Sequence, residues 1–536
     1  MTRPSFMCWT RCFGEIAACL AIGAVLSVAA GQDASWDLRN YHLYNAFSLL
    51  NNRFDQDFFP ADKHSGFNPL LDLIYTALAL GPLSHFPRGL AAVMGFWYGL
   101  LIFIIFRIVK TLFAPYTAQE RRILVPVAVL TATTGAMTFS QIGTSSNDIA
   151  IAALVLTGLF FVLDSTHKAK HAWKDFALGG LIFGMAGGAK LTAVIYAPAL
   201  VLALLFALPL RLSLRACASF VIAWLGGFFI TFGWWGWLMW QRFANPVFPM
   251  MNGVFKSPLA PAINLNDARF FPHTFLQDIA YPFFWAWDKG NHLVYEFDFC
   301  DPRMAIAYGA IVLFAGLSLL NFYQKRQGKP TYPIVLSRPQ KIALPFFVFS
   351  YFAWLITTSI LRYAIALECL AIPLFVTIIM GSEGETRAKL KIVVIACLLC
   401  LFTARHSDWG HREFSATVVD VDTSWVQPNT LFLGVYEPFA YLAAAIPSDL
   451  HAQFAGLGFI SYLHGWPLGY SAEHLVHNHQ GPVFVLFREE RRQYLNLLTP
   501  LGLSPDVKNC HMVISNLLPL QDPTLMACEV HPLFAF

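Results

Sequence analysis

Charge is what this sequence has least of. Asp, Glu, Lys and Arg make up 13% of its 536 residues, about half the share of a soluble globular chain. A chain so poor in charge cannot coat a water-facing surface. With 57% hydrophobic residues and mean hydropathy +0.54, it reads as a polytopic α-helical membrane protein, with about eleven runs that approach the length of a membrane span. A strong charge imbalance is also missing. The net charge is only +4, and there is no Lys/Arg-rich tract or zinc-finger spacing, so no nucleic-acid partner is expected. The ten cysteines are scattered. Cys8, Cys12, Cys19, Cys217, Cys369, Cys397 and Cys400 lie in or beside apolar runs, as small buried hydrophobes do. Neither Cys8 with Cys12 nor Cys397 with Cys400 has companions at ligand spacing, so no metal site is assigned to them. A Gly-rich phosphate fingerprint is lacking too: GVYEPFA, at 434–440, has no second or third glycine where one would be needed.

The basic residues orient the chain. Arg3 and Arg11 place the N-terminus in the cytoplasm. The apolar stretch 16–30 has the outline of a signal peptide, with Ala29-Ala30-Gly31 imitating a cleavage site. It is read as a retained anchor, because the loop after it needs a tether. Further spans are expected at 90–109, 123–139, 149–163, 176–189, 191–208, 220–240, 305–322, 342–360, 364–380 and 392–404. The stretch 70–80 is too short to cross and is read as a juxtamembrane or re-entrant helix. On this count Lys110, Arg121 and Arg122, then His167, Lys168, Lys170, His171 and Lys174, and the later basic turns all fall inside. The polar loop 31–69, the turn 141–148, the long loop 241–303 and the tail from 405 fall outside. Two domains follow: a membrane domain over 1–404, and a small extracytoplasmic α/β domain over 405–536. In the tail, apolar strand patterns alternate with helical ones, as in a parallel sheet. Cys510 and Cys528 could pair there, in an oxidising compartment.

Loop 31–69 holds five aspartates and two histidines. So many carboxylates beside a bilayer point to a substrate, an ion or water. Asp37 opens WDLRNYHLYNAF, where helical spacing puts Asp37, Tyr41 and Tyr44 or Asn45 on one face, and Leu38 and His42 on another. A carboxylate held there could take a proton from an attacking hydroxyl; equally, Asp33 and Asp37 could cap a helix or solvate the loop. Asp55, Asp57 and Asp62 with His64 form a second acidic group, which could bind a divalent cation, Mg or Mn, through oxygen or simply face water. Asn147 and Asp148 open the helix after Thr144-Ser145-Ser146, either as a cap or as polar contacts to a sugar, a phosphate or a metal. Lys190, after GMAGG, and Arg362, in LRYA, are cations beside apolar helices. They suit the phosphate of a lipid-linked donor, or they snorkel to the surface.

One span, a large outer loop with an early Asp and a following Tyr-His, then many spans: this order resembles the GT-C superfamily of membrane glycosyltransferases. The strings that carry the resemblance are WDLRNYH, GMAGGAKLTAVIYAPAL and LRYAIALECLAIPL, over roughly the first 400 residues. The resemblance implies a polyprenyl-phosphate-sugar donor and a lipid, glycan or protein acceptor on the outer side. It also implies inversion at the anomeric carbon. Separately, the lack of long low-complexity tails and of clear organelle signals points to a bacterial inner membrane. The resemblance makes Asp37, then Asp33, the base or acceptor-positioning residue. Tyr41, His42, His64, Asn147, Asp148, Lys190, Arg362 and Tyr363 are the substrate-binding candidates. The sequence departs from members in which Asp and Glu are adjacent, since Leu38 follows Asp37. The main alternative is a transporter or lipid flippase, which would show internal repeats and charges deep in several spans; no such repeat is found. A membrane scaffold displaying the tail is the third reading.

Overall fold

The structure is a computed structural model that describes residues 6–166, 172–331, 334–436, 438–518 and 525–533. Arg3, His167, Lys168, Lys170 and His171 lie outside the described residues. The helical part runs α1 (Phe6–Ala30), α2 (Leu43–Leu50), α3 (Asp72–Ala79), α4 (Pro87–Leu112), α5 (Ala118–Thr133), α6 (Ala136–Ser140), α7 (Asp148–Ser165) and α8 (Ala172–Ala189). It continues through α9 (Tyr196–Ala207), α10 (Leu210–Phe243), α11 (Asn252–Phe255), α12 (Phe275–Trp285), α13 (Arg303–Arg326), α14 (Arg338–Thr357), α15 (Ile365–Gly381) and α16 (Thr386–Thr403). Among the described residues, seven helices are long and apolar enough to cross a membrane: those of α1, α4, α7, α10, α13, α14 and α15. The spans expected at 123–139, 176–189, 191–208 and 392–404 fall on α5, α8, α9 and α16, which are shorter, less apolar or more charged. Loop 241–303, read as irregular, contains the short helix α12.

Local sequence sets several of these boundaries. Thr117 and Glu120 close a reciprocal capping box at the start of α5, and Ser337 with Gln340 does the same at α14. The break between α8 and α9 falls at Lys190, followed by a 3-10 turn over Leu191–Ile195. Glycines let α8 lie directly on α10. A Cβ at Gly184 would meet the Trp224 carbonyl oxygen at 2.1 Å, and one at Gly227 would meet that of Leu181 at 2.0 Å. This is the small-residue packing that brings membrane helix backbones together.

The tail forms a five-stranded sheet from β3 (Leu431–Gly434), β4 (Gln453–Gly456), β5 (Val483–Arg488), β6 (Leu503–Met512) and β7 (Leu525–Pro532), in the order β4-β3-β5-β7-β6. β4, β3 and β5 are parallel, whereas β7 runs antiparallel to both β5 and β6. The sheet is therefore mixed, where a parallel one is expected. Cys510 and Cys528 face each other across β6 and β7 and form a disulfide. The segments after β3 and β5, read as helices, are 3-10 turns at Ala440–Ala444 and Glu489–Leu501.

Alternation along the strands sends successive side chains to opposite faces. Leu431, Leu433, Val485 and Phe487 pack against Ala472 and Val476 of α18 (Pro467–His477). Phe432, Phe454 and Phe484 belong to the same buried cluster as Tyr41, Leu43 and Tyr44 of the first loop. That loop thus supplies one side of the sheet's core. It also extends the sheet edge: Phe58 N donates to Phe454 O at 2.8 Å and Gly456 N to Phe58 O at 3.0 Å. At its root, β1 (Gln32–Asp33) pairs antiparallel with β2 (His411–Arg412), just beyond α16.

Candidate active site

The first loop turns into a helix at Trp36, but residues Leu38–His42 take a π-helical turn before α2 begins. Such single turns are frequent at functional sites. The wider turn changes the expected faces: Tyr41 and His42 both come under the charge of Asp37, and Tyr41 also feels Arg362, Tyr363 and Asp148. The two rings lie 4.1 Å apart by their centroids, and Tyr41 stacks on His64 at 5.3 Å. All of the turn's side chains are buried.

Asp37 accepts a hydrogen bond from Arg362 Nη1 at 2.6 Å. Burial opposes its charge, but the field of Arg362, then His42, Lys190 and His64, outweighs that effect and holds the carboxyl below its ordinary range. Arg362 lies 5.2 Å from the Tyr363 ring and 5.7 Å from that of Trp409. Lys190 pairs with Asp148, donates to the Ser146 carbonyl at 3.1 Å and sits 5.3 Å from the Tyr363 ring. Tyr363 therefore borders both cations. Burial, and Lys63 after it, pushes His64 down to about 4, so the ring is neutral at pH 7; Asn40 Nδ2 contacts its Nδ1 at 3.2 Å.

Asn147 is not a side-chain cap for α7. Its backbone is left-handed, with φ 64°, and its side chain makes no cap bond. Instead its Nδ2 donates to Asp72 Oδ1 at 2.5 Å, the same oxygen that His42 Nδ1 meets at 2.7 Å. Asp72 was not among the sequence candidates. The available signal was a lone carboxylate in the apolar stretch 70–80, which is costly to bury without a partner. Trp409 was missed as well. It stacks on Tyr295 with centroids 5.2 Å apart and reaches Arg362 from the tail, and nothing local in SDWGH indicates this.

The remaining loop aspartates are fasteners. Asp33 accepts Ser35 N at 2.9 Å and Ser145 N at 2.7 Å, tying the loop root to the turn that carries Asn147 and Asp148. Asp55 pairs with Arg242 of α10. Asp57 takes Arg53, Tyr44 and the Phe454 amide. Asp62 accepts the Phe459 amide at 2.9 Å. The acidic group Asp55, Asp57, Asp62 and His64 therefore does not fit a divalent cation such as Mg or Mn, because its members are spent on separate partners. Among the described residues, no group of three His, Cys, Asp or Glu is placed to hold a metal. Asn68 donates to the carbonyls of Gly188 and Thr231, both at 3.0 Å, which locks the loop's far end onto α8 and α10 beside Lys190. A cavity of about 410 Å³ opens between the loop, α10 and α18, lined by Asn45, Asp57, Phe59, Trp235 and Phe243 among others.

Many apolar helices, a first loop whose Asp37 carboxylate pairs with Arg362, and a C-terminal sheet built onto that loop make up an integral membrane protein. The model of glycosyltransferase family 87 matches residues 74–327, which include Asn147, Asp148 and Lys190 but neither Asp37 nor Arg362. The fold is similar to that of the Archaeoglobus fulgidus oligosaccharyltransferase. The form tethered with an acceptor peptide containing the NVT sequon via a disulfide bond gives a TM-score of 0.50 at 12% identity, covering 91% of this chain and 71% of that one. The apo form gives 0.49 at 11%, covering 91% and 72%, and the complex with Zn and sulfate 0.46 at 12%, covering 90% and 69%. No curated protein matches the chain in sequence.

Proposed function

We propose that this protein is a membrane glycosyltransferase that moves a sugar from a polyprenyl-phosphate donor to a hydroxyl of a lipid, glycan or protein acceptor, with inversion at the anomeric carbon. The carrying observation is the meeting of two cation–carboxylate pairs, Arg362 with Asp37 and Lys190 with Asp148, around the Tyr363 ring. Each cation is neutralised by a carboxylate in the donor-free protein. The phosphate of an arriving donor competes for Arg362 and Lys190, where preorganised positive charge stabilises the leaving phosphate. Asp37, relieved of Arg362, then accepts the acceptor hydroxyl's hydrogen bond and aims its oxygen at the anomeric carbon. Both oxygens of Asp33 are already taken by backbone amides, which favours Asp37 for this role. Tyr41 and neutral His64 wall the acceptor side.

The proposal places the site and residues 405–536 on the outer face of a bacterial inner membrane, with 1–404 as the membrane domain. The Cys510–Cys528 disulfide supports an oxidising side for the tail. The test is transfer of label from radiolabelled polyprenyl-phosphate sugars to acceptors in a membrane lipid extract, comparing wild type with Asp37→Asn in one detergent. Transfer by wild type alone supports the reading and the role of Asp37. Transfer by both moves that role elsewhere. No transfer from any donor by folded wild type refutes the reading.

A further inference from the structure

Beside Asp37 stands a second set of groups for which the proposed reaction has so far given no use. His42 and Asp72 are each about 3% exposed. His42 Nδ1 meets Asp72 Oδ1 at 2.7 Å, and Asn147 Nδ2 donates to the same carboxylate oxygen at 2.5 Å. A carboxylate on Nδ1 fixes the tautomer: the proton sits on Nδ1, and Nε2 carries a bare lone pair. That Nε2 is buried and has no hydrogen-bond partner among the described residues. An orphaned acceptor inside a protein costs free energy, and it persists here next to the carboxylate expected to receive the acceptor.

We infer that His42, oriented by Asp72 and Asn147, is the general base of the transfer, and that Asp37 positions the hydroxyl it deprotonates. This rests on the glycosyltransferase reading above. Once the donor phosphate draws Arg362 away, Asp37 is the carboxylate that holds the acceptor hydroxyl in place, and the orphaned Nε2 of His42 is free to take its proton. In the step, the acceptor O–H bond breaks and its proton goes to His42 Nε2. The acceptor oxygen's electron pair forms the bond to the anomeric carbon. The bond from that carbon to the phosphate oxygen breaks, and its pair leaves on the polyprenyl phosphate. Asp72 then faces an imidazolium, the arrangement in which an acid behind a histidine is most useful. The groups that bear on His42 are Asp72 from α3, Asn147 before α7, and Tyr41 and Asp37 from its own turn; Lys190, Arg362 and His64 lie beyond Asp37.

The experiment uses the full chain in detergent, radiolabelled polyprenyl-phosphate sugars and a membrane lipid extract as acceptor source. His42→Gln is expected to lower kcat by about 10²–10⁴-fold, the range for loss of a general base, with donor KM unchanged. Added imidazole should restore part of the rate to His42→Ala but none to Asp37→Asn. Asp72→Asn should lower kcat without raising donor KM, and Asp72→Glu should recover part of the loss. Transfer by His42→Gln at the wild-type rate overturns the inference and leaves the enzyme reading intact. Should the His42 variants not fold, a folded Asp72→Asn that transfers at the wild-type rate overturns it equally. Absence of transfer by wild type refutes the underlying reading instead.

Discussion

Arg362 joins a carboxylate to two aromatic rings. It bonds Asp37 and lies against the rings of Tyr363 and Trp409. A lysine cannot reproduce a planar guanidinium between aromatic faces. Arg362→Lys is therefore expected to raise donor KM at least tenfold, measured by donor titration at saturating acceptor. Asp62 gives a stability prediction with a defined sign. Burial pushes its carboxyl up to about 7, against which the Phe459 amide works only partly. The folded chain thus holds a proton that the unfolded chain loses at lower pH, so stability contributed by this group falls as pH rises from about 4 to 7. Asp62→Asn keeps an acceptor for the amide, removes the charge and suits the backbone, whose φ of 47° is left-handed. Its melting temperature should exceed that of wild type at pH 8 and match it at pH 4. Both predictions concern residues visible in the sequence, yet their partners were not: Phe459 lies 397 positions from Asp62, and Arg362 325 from Asp37.

At the scale of elements, the packing of α8 on α10 decides where Lys190 stands. Gly180, Gly184 and Gly188 recur at four-residue intervals, and a Cβ on any of them would strike the backbone or a side chain of α10. Gly184→Val should cost roughly 1–3 kcal/mol through overpacking. It should also displace Lys190, so that thermal stability and transfer fall together. The GMAGG string was legible as a small-residue run before a lysine. Its partner helix was not, because a stripe of glycines does not say which helix it meets. The π-turn at Leu38–His42 was equally illegible. Its residues fit an ordinary helical period, and only the packing of Tyr41 and His42 against α3, His64 and the sheet selects the wider turn.

At the scale of the molecule, the first loop and the tail share one core. Asp57, Arg53, Tyr44 and the backbone of β4 form one network, in which Arg53 also donates to Ala452 O at 2.7 Å. Asp57→Ala leaves that arginine without its carboxylate, a change that costs roughly 3–5 kcal/mol when a buried pair is broken. Limited proteolysis should then cut within 31–69 faster than in wild type, while the cutting rate in the turn 113–117 stays the same. Removing the disulfide with Cys510→Ser and Cys528→Ser should cost on the order of 3 kcal/mol, because it frees a closed loop of that size in the unfolded chain. The loss would be read as a lower melting temperature of the tail.

Composition alone determined that this is a membrane protein of many helices, since too few charges exist to solvate a soluble surface. Local pattern determined the polar loop, the capping boxes of α5 and α14, the break at Lys190 and the list of residues able to do chemistry. Those are properties of hydropathy and of neighbours within a few positions. What each aspartate does was decided only by the tertiary structure. The five in loop 31–69 look alike in sequence, and they differ because Asp33 meets Ser145, Asp55 meets Arg242, Asp57 meets Arg53 and Phe454, Asp62 meets Phe459, and Asp37 meets Arg362. A buried carboxylate takes its role from the charge or donor that compensates it. In this chain those partners come from helices and strands far along the sequence, so only folding assigns them.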